Sequence, residues 1–230
     1  MITLRWHGHA AFTVTAGALR VLVDPYRPGA LGGRFRLPPI EEPADLVLIT
    51  HWHEDHSWVG GAQRGALVAD TTGEWLGVPV TAVAAFHDRE GGARMGLTRM
   101  LAFSLGGLRV AHLGDIGVPP TDAQWEALGP VDVLLVPAGG TWTIDPAEAV
   151  AVAVRSGASW VVPMHVANPS IDLALAPVED FIAAWEGAVQ RIGGDTVTLS
   201  EPPASPVAVL LACGAGANLD TTDPPPERTP

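Results

Sequence analysis

The apolar run Asp45–Thr50 leads without a spacer into His51-Trp52-His53-Glu54-Asp55-His56. Leu46, Val47, Leu48 and Ile49 show no alternation between two faces, so the run predicts a strand buried on both sides, inside a layered protein. Polar side chains that follow such a strand are held on a loop by a rigid scaffold, which is where binding and chemistry concentrate. The arrangement recurs along the chain. Pro79–Phe86 is followed by His87 and Asp88, Leu108–Leu113 carries His112 and is followed by Gly114-Asp115, and Ser159–Pro163 is followed by Met164-His165.

Further strands are expected at Ile2–Trp6, Phe12–Thr15 and Leu19–Asp24 as an opening meander, then at Leu97–Leu105, Asp132–Pro137, Thr196–Leu199 and Val207–Leu211. A long loop rich in proline, glycine and arginine spans Tyr26–Pro43. Helices are expected at Thr121–Leu128 behind a Thr cap and at Asp145–Arg155, with Asp at the start and Pro in the first turn. A third is expected at Pro177–Arg191, with Phe181, Ile182, Trp185 and Val189 at helical spacing. This order fits an α+β sandwich of two sheets with helices outside. No internal repeat or interior linker divides the chain, so one domain is expected over residues 1–213, followed by an acidic tail rich in Pro and Gly over 214–230 that should be solvated.

Composition removes whole classes. All 13 basic residues are arginine, so a Walker phosphate loop, a Schiff-base mechanism, a kinase and a Ser-x-x-Lys acyl enzyme each lack an obligatory lysine. The one cysteine, Cys213, allows neither an internal disulfide nor a multi-thiolate zinc site, so a metal must be held by nitrogen and oxygen. A formal charge of −12 and scattered arginines argue against a nucleic-acid partner. No apolar run approaches the roughly 18 residues of a membrane span, and the start enters strand-like alternation without a signal peptide, so no membrane partner and a cytoplasmic location are expected.

Imidazoles and a carboxylate on a tight turn after a strand suit zinc or another borderline divalent ion, and the turn can aim alternate side chains at two neighbouring ions. Thr50-His51-Trp52-His53-Glu54-Asp55-His56 resembles the signature of the metallo-β-lactamase superfamily. Phe86-His87-Asp88, His112-Leu113-Gly114-Asp115 and Pro163-Met164-His165 follow in the order of that family's pattern, and the resemblance covers about residues 1–200. Gly8-His9-Ala10, Val23-Asp24-Pro25 and Pro137-Ala138-Gly139-Gly140 are similar to the branch that includes L-ascorbate-6-phosphate lactonase and N-acyl phosphatidylethanolamine phospholipase D.

The resemblance implies a four-layer αβ/βα sandwich, two mixed sheets with helices on the outer faces. It also implies a binuclear site: His51, His53 and His87 on the first metal, Asp55, His56 and His165 on the second, with Asp115 bridging. His87 is preferred to His112 as the third imidazole of the first metal. Two divalent ions are expected, zinc first, with manganese or iron(II) served by the same donors. A hydroxide between them would cleave an ester, lactone or phosphodiester in a small-molecule substrate, with Asp55 as the catalytic base. The alternatives are a non-catalytic metal-binding or ligand-sensing module and, less favoured, a nuclease.

Arg27, Arg34 and Arg36 on the long loop offer a rim for an anionic substrate, or only solvated charge. His9 reads as a core imidazole or one behind the ligands, His7 as a surface residue of the opening hairpin, and Asp24 and Asp88 as acceptors that fix the tautomer of a ligating histidine. Trp52, Trp58 and Trp142 lie near the site loops, and Gly139-Gly140 either admits a substrate or makes a turn. The oligomeric state is left open, and a homo-oligomer is compatible with the sequence.

Overall fold

A computed structural model describes residues 1–213, and the tail expected over 214–230 lies outside the described residues. In chain order the strands are β1 (Ile2–Gly8), β2 (Ala11–Ala16), β3 (Leu19–Val23), β4 (Leu46–Leu48), β5 (Leu67–Ala69), β6 (Gly73–Trp75) and β7 (Val78–Phe86). They continue as β8 (Leu97–Leu105), β9 (Leu108–His112), β10 (Val133–Pro137), β11 (Trp160–Met164), β12 (Ala188–Arg191), β13 (Thr196–Leu199) and β14 (Val207–Leu210). One sheet has the order β13-β1-β2-β3-β4-β5, antiparallel as far as β3 and parallel beyond it. The other has the order β12-β14-β11-β10-β9-β8-β7-β6, parallel from β12 to β9 and antiparallel from there to β6. The chain is thus the α+β sandwich of two mixed sheets that the sequence predicts.

Side chains of β2, β3 and β4 alternate between the two faces, and both faces carry buried apolar residues. Phe12, Val14, Val21, Val23, Leu46 and Leu48 point into the main core between the sheets. Their neighbours Ala11, Leu22, Val47 and Ile49 point outwards, where Tyr26, Phe35, Leu37 and Ile40 cover them. The segment Tyr26–Pro43 is therefore the outer layer of the first sheet. The Tyr26 hydroxyl pins it by donating to the Pro38 carbonyl at 2.8 Å. Over the second sheet, helix Asp122–Leu128 packs on β7 and β8 and helix Pro146–Ser156 on β10. Both helices start in a capping box, Thr121 with Gln124 and Asp145 with Glu148.

The helix expected over Pro177–Arg191 is shorter, Val178–Ala184. Trp185 leaves helical geometry at φ −83 and ψ 119, and its Nε1 donates to the Ala188 carbonyl at 3.0 Å. Its ring lies over Gly187, where a Cβ would come within 2.7 Å of Nε1. The chain is released into β12, which pairs with β14, so Val189 sits half exposed on a sheet edge. The three- and four-residue strands β5, β6 and β12 have no pattern long enough to predict. No helix among the described residues is long and apolar enough to cross a membrane.

Candidate metal centre

Five segments deliver the polar side chains to one place. His51, His53, Asp55 and His56 lie on the turn after β4, His87 follows β7, Asp115 follows β9, His165 follows β11, and His9 lies between β1 and β2. His9 and His165 have φ 53 and Asp24 has φ 48, the left-handed region that non-glycine residues rarely occupy. Such strain clusters at functional sites, where the surroundings over-determine it.

Ligand atoms of His51, His53 and His87 lie within 4.8 Å of one another, and those of His9, His56, Asp115 and His165 form a second such group. Asp115 joins the two, because its Oδ2 lies 3.2 Å from His56 Nε2, 3.1 Å from His165 Nε2 and 3.5 Å from His87 Nε2. Asp55 Oδ2 lies 3.8 Å from His56 Nε2 and 3.4 Å from His9 Nε2. The seven residues expected as ligands are thus brought together; His51, His53 and His87 group as expected, whereas the second group holds His9 and Asp115 beside His56 and His165, with Asp55 at its edge.

Hydrogen bonds on the far side of the rings set their orientation. His51 Nδ1–H donates to Thr50 Oγ1 at 2.9 Å, and that hydroxyl donates to Asp24 Oδ2 at 2.6 Å. His56 Nδ1–H donates to the same Asp24 oxygen at 3.0 Å, and His87 Nδ1–H to the Trp142 carbonyl at 3.2 Å. Each Nε2 lone pair is therefore free to face the centre. Among the described residues, His51 Nε2, His56 Nε2 and Asp115 Oδ1 are buried without a hydrogen-bond partner. Buried polar atoms are rarely left so, and converging lone pairs of nitrogen and oxygen are what a borderline divalent cation completes. The residues fit the metal that the family implies.

The electrostatics agree. Burial pushes His51 and His53 down, with neighbouring imidazoles adding to it, so both are neutral donors. Burial acts downwards on His56 too, but the Asp115 and Asp55 carboxylates outweigh it and raise this ring well above the ordinary value. Burial would raise Asp115, yet His165 and His56 hold it well below the carboxylate range. The two carboxylates thus favour positive charge at the point where the imidazoles converge.

Other expectations are redistributed. His112 Nε2–H donates to the Ala10 carbonyl at 2.8 Å and its Nδ1 accepts from Gly114 N at 3.0 Å, so both nitrogens serve the scaffold. Asp88 orients no ligand. It accepts from the backbone N–H groups of Glu90, Gly92, Arg94 and Met95, and these bonds outweigh what burial there is and hold it at about 2. His7, expected on the surface, is half-buried, with Nε2 2.7 Å from Thr13 Oγ1. The Trp142 carbonyl carries no sequence signal for its place behind His87.

A cavity of about 450 Å³ opens above the donors. His53, Asp55, His87, Asp115 and His165 form its floor, and Leu31, Arg34, Trp52, Trp142 and Leu173 stand around it. Of the loop arginines, Arg27 is paired with Glu54 at 3.6 Å and lies over Trp58, while Arg36 donates to the Pro169 carbonyl. Arg34 alone of the three lines the cavity. A larger hollow of about 640 Å³ beside Arg5, Trp6, His7 and Tyr26 includes none of the donor clusters.

Gly139 is a close-approach glycine, because a Cβ there would come 1.9 Å from the His165 carbonyl oxygen. Gly139→Ala is expected to cost about 1–3 kcal/mol of stability by overpacking and to displace His165. Calorimetric melting and metal titration together check this, and a variant that melts and binds metal like the parent refutes it.

Comparison with known proteins follows the geometry. A profile described as the beta-lactamase superfamily domain matches residues 3–165. A UPF0173 metal-dependent hydrolase from Nitratidesulfovibrio vulgaris (strain DP4) is 31% identical over 194 residues, covering 70% of this chain and 79% of that protein. One from Thermococcus onnurineus is 32% identical over 194 residues, covering 72% and 84%. A Thermotoga maritima crystal structure whose description places it in the metallo-β-lactamase superfamily superposes with a TM-score of 0.74 at 32% identity, and the match covers 92% of this chain and 98% of that one. Fold, donor constellation and these likenesses agree, and the chain belongs to the metallo-β-lactamase superfamily.

Proposed function

We propose that this chain is a hydrolase that holds two divalent ions, zinc first among them, and cleaves an ester, lactone or phosphodiester in a small anionic molecule. The observation that carries this is the set of buried donor atoms on His51, His56 and Asp115 that have no hydrogen-bond partner among the described residues, in two groups that Asp115 links through His87. His51, His53 and His87 would hold one ion and Asp55, His56 and His165 the other, with Asp115 between them. Bound there, the ions supply an acidified water and a Lewis acid for the scissile bond. The names of the relatives as metal-dependent hydrolases support the reaction class.

The chain's own groups do the rest. Asp55 is ionised and faces the cavity floor, where its carboxylate takes the proton of the attacking water. Trp52, Trp142, Leu31 and Leu173 hold the apolar part of the substrate and exclude bulk water. Arg34 reaches its anionic group. The charge of −12 keeps polyanions away, so nucleic acid is not the substrate, and a cytoplasmic location suits the donor set.

Elemental analysis of protein purified without added ions tests this, followed by a screen over lactones, phosphodiesters, thioesters and N-acyl compounds. Two equivalents are expected, His87→Ala should lose one, and His112→Ala should keep both. A stoichiometry of one or zero that added ions do not raise overturns the binuclear reading. Two bound ions with no turnover across the screen would favour a non-catalytic module.

A further inference from the structure

We infer that His9 is a positioning residue whose Nε2–H donates to Asp55 Oδ2 and fixes the carboxylate that the proposed reaction uses as ligand and base. The inference rests on the metal-hydrolase reading for that use, but the contact itself stands on geometry. His9 Nε2 lies 3.4 Å from Asp55 Oδ2, and the His9 side chain is fully buried. Among the described residues neither ring nitrogen has another hydrogen-bond partner, and neither is exposed. The ring is wedged with its centroid 4.1 Å from that of His165, 4.9 Å from His56 and 4.8 Å from Phe35, which it meets edge to face.

The backbone is held as firmly. The His9 carbonyl accepts from Trp6 Nε1 at 3.0 Å and from His165 N at 3.1 Å, while the residue itself sits at φ 53. An ordinary core side chain would not need a left-handed backbone and two unpaired nitrogens. An imidazole that must reach a carboxylate from the β1–β2 turn does.

A neutral imidazole carries one proton, and here only Nε2 faces an acceptor, so His9 takes the Nε2–H tautomer. His51, His56 and His87 take the opposite one, since each donates through Nδ1. At 3.4 Å the separation is at the long end of the hydrogen-bond range.

The test is the long-range proton–nitrogen spectrum of the histidine rings, recorded with and without zinc, beside competition of zinc with a chromophoric chelator. An Nε2–H signal that is lost in His9→Gln and shifted in Asp55→Asn is expected. His9→Phe, which keeps the ring volume, should weaken the second zinc about 10- to 100-fold and leave the first unchanged. His9→Gln, which keeps an N–H donor at similar reach, should recover most of that loss. An Nδ1–H tautomer, a His9→Phe that binds both ions like the parent, or equal losses in the Phe and Gln variants would each overturn the assignment. If the parent protein binds fewer than two zinc ions, the binuclear reading fails instead, and the metal-free spectrum still decides the His9 contact.

Discussion

Asp55→Asn should lower turnover on the best substrate by about 10² to 10⁴, the usual contribution of a general base, while the fold stays intact. Burial on its own would raise the Asp55 carboxyl, but His56 and His9 outweigh it and hold the group below the carboxylate range, so it is ionised and basic only through its lone pairs. The amide has the same shape and neither function: it is no base and a poor ligand. The loop around it is held by other bonds. His56 N donates to the His53 carbonyl at 3.0 Å, Arg27 N to the Glu54 carbonyl at 2.9 Å and Ser57 Oγ to the His53 carbonyl at 2.7 Å. The amide gives up the attraction of His56 and His9 for the charge but also its repulsion with Asp115, so the two partly offset and the metal-free variant should melt within a few degrees of the parent. Steady-state kinetics and calorimetry on the same preparation decide the matter. More than about a tenth of the parent rate would mean that no general base has been removed.

That the seven expected donors would converge was legible for a physical reason. Each lies after a strand end, where the side chain leaves the pleat and can turn to the centre. His112 lies inside β9, paired with Leu101 and Leu135, and its ring is committed to Ala10 and Gly114. A reading that asks whether a histidine lies within an apolar run or just past it separates His112 from His87 without a structure. The strands were legible wherever the apolar pattern ran five residues or more. At Trp185, by contrast, helical spacing continues to a residue whose own indole ends the helix, a tertiary effect that periodicity cannot carry. The outer cover of the first sheet was hidden as well, because Tyr26, Phe35, Leu37 and Ile40 are spaced irregularly among prolines, glycines and arginines and match neither template. For His9 the sequence offered a place in the core or behind the ligands, but not its partner. Its partner Asp55 is 46 positions away in sequence, and only the approach of the β1–β2 turn to the end of β4 brings them together.

Asp24 shows how far the site depends on a side chain that touches no substrate. It is fully buried, Oδ1 accepts from Thr50 N at 2.8 Å, and Oδ2 accepts from Thr50 Oγ1 at 2.6 Å and from His56 Nδ1 at 3.0 Å. Its own N–H donates to the Leu48 carbonyl at 3.0 Å, which ties the end of β3 to β4 just ahead of the ligand turn. Asp24→Ala removes every one of the side-chain acceptors. The Thr50 hydroxyl can rotate to another partner, but Thr50 N–H and His56 Nδ1–H are stranded, at about 1–3 kcal/mol each. Alanine must also adopt the φ of 48, at a further cost of about 1–2 kcal/mol. Against a total stability of about 5–15 kcal/mol the loss is large, and at about 2–4 °C per kcal/mol it predicts a melting temperature lower by about 10 °C or more. Asp24→Asn separates the fold from the chemistry. Asparagine tolerates the left-handed backbone and its oxygen still accepts from Thr50 N, but its amide nitrogen cannot accept from His56. The fold should largely survive, His56 should lose its Nδ1–H preference, and zinc affinity should fall about 10- to 100-fold. If Asp24→Ala melts within three degrees or so of the parent and Asp24→Asn binds zinc as tightly, the buried carboxylate neither holds the turn nor orients His56.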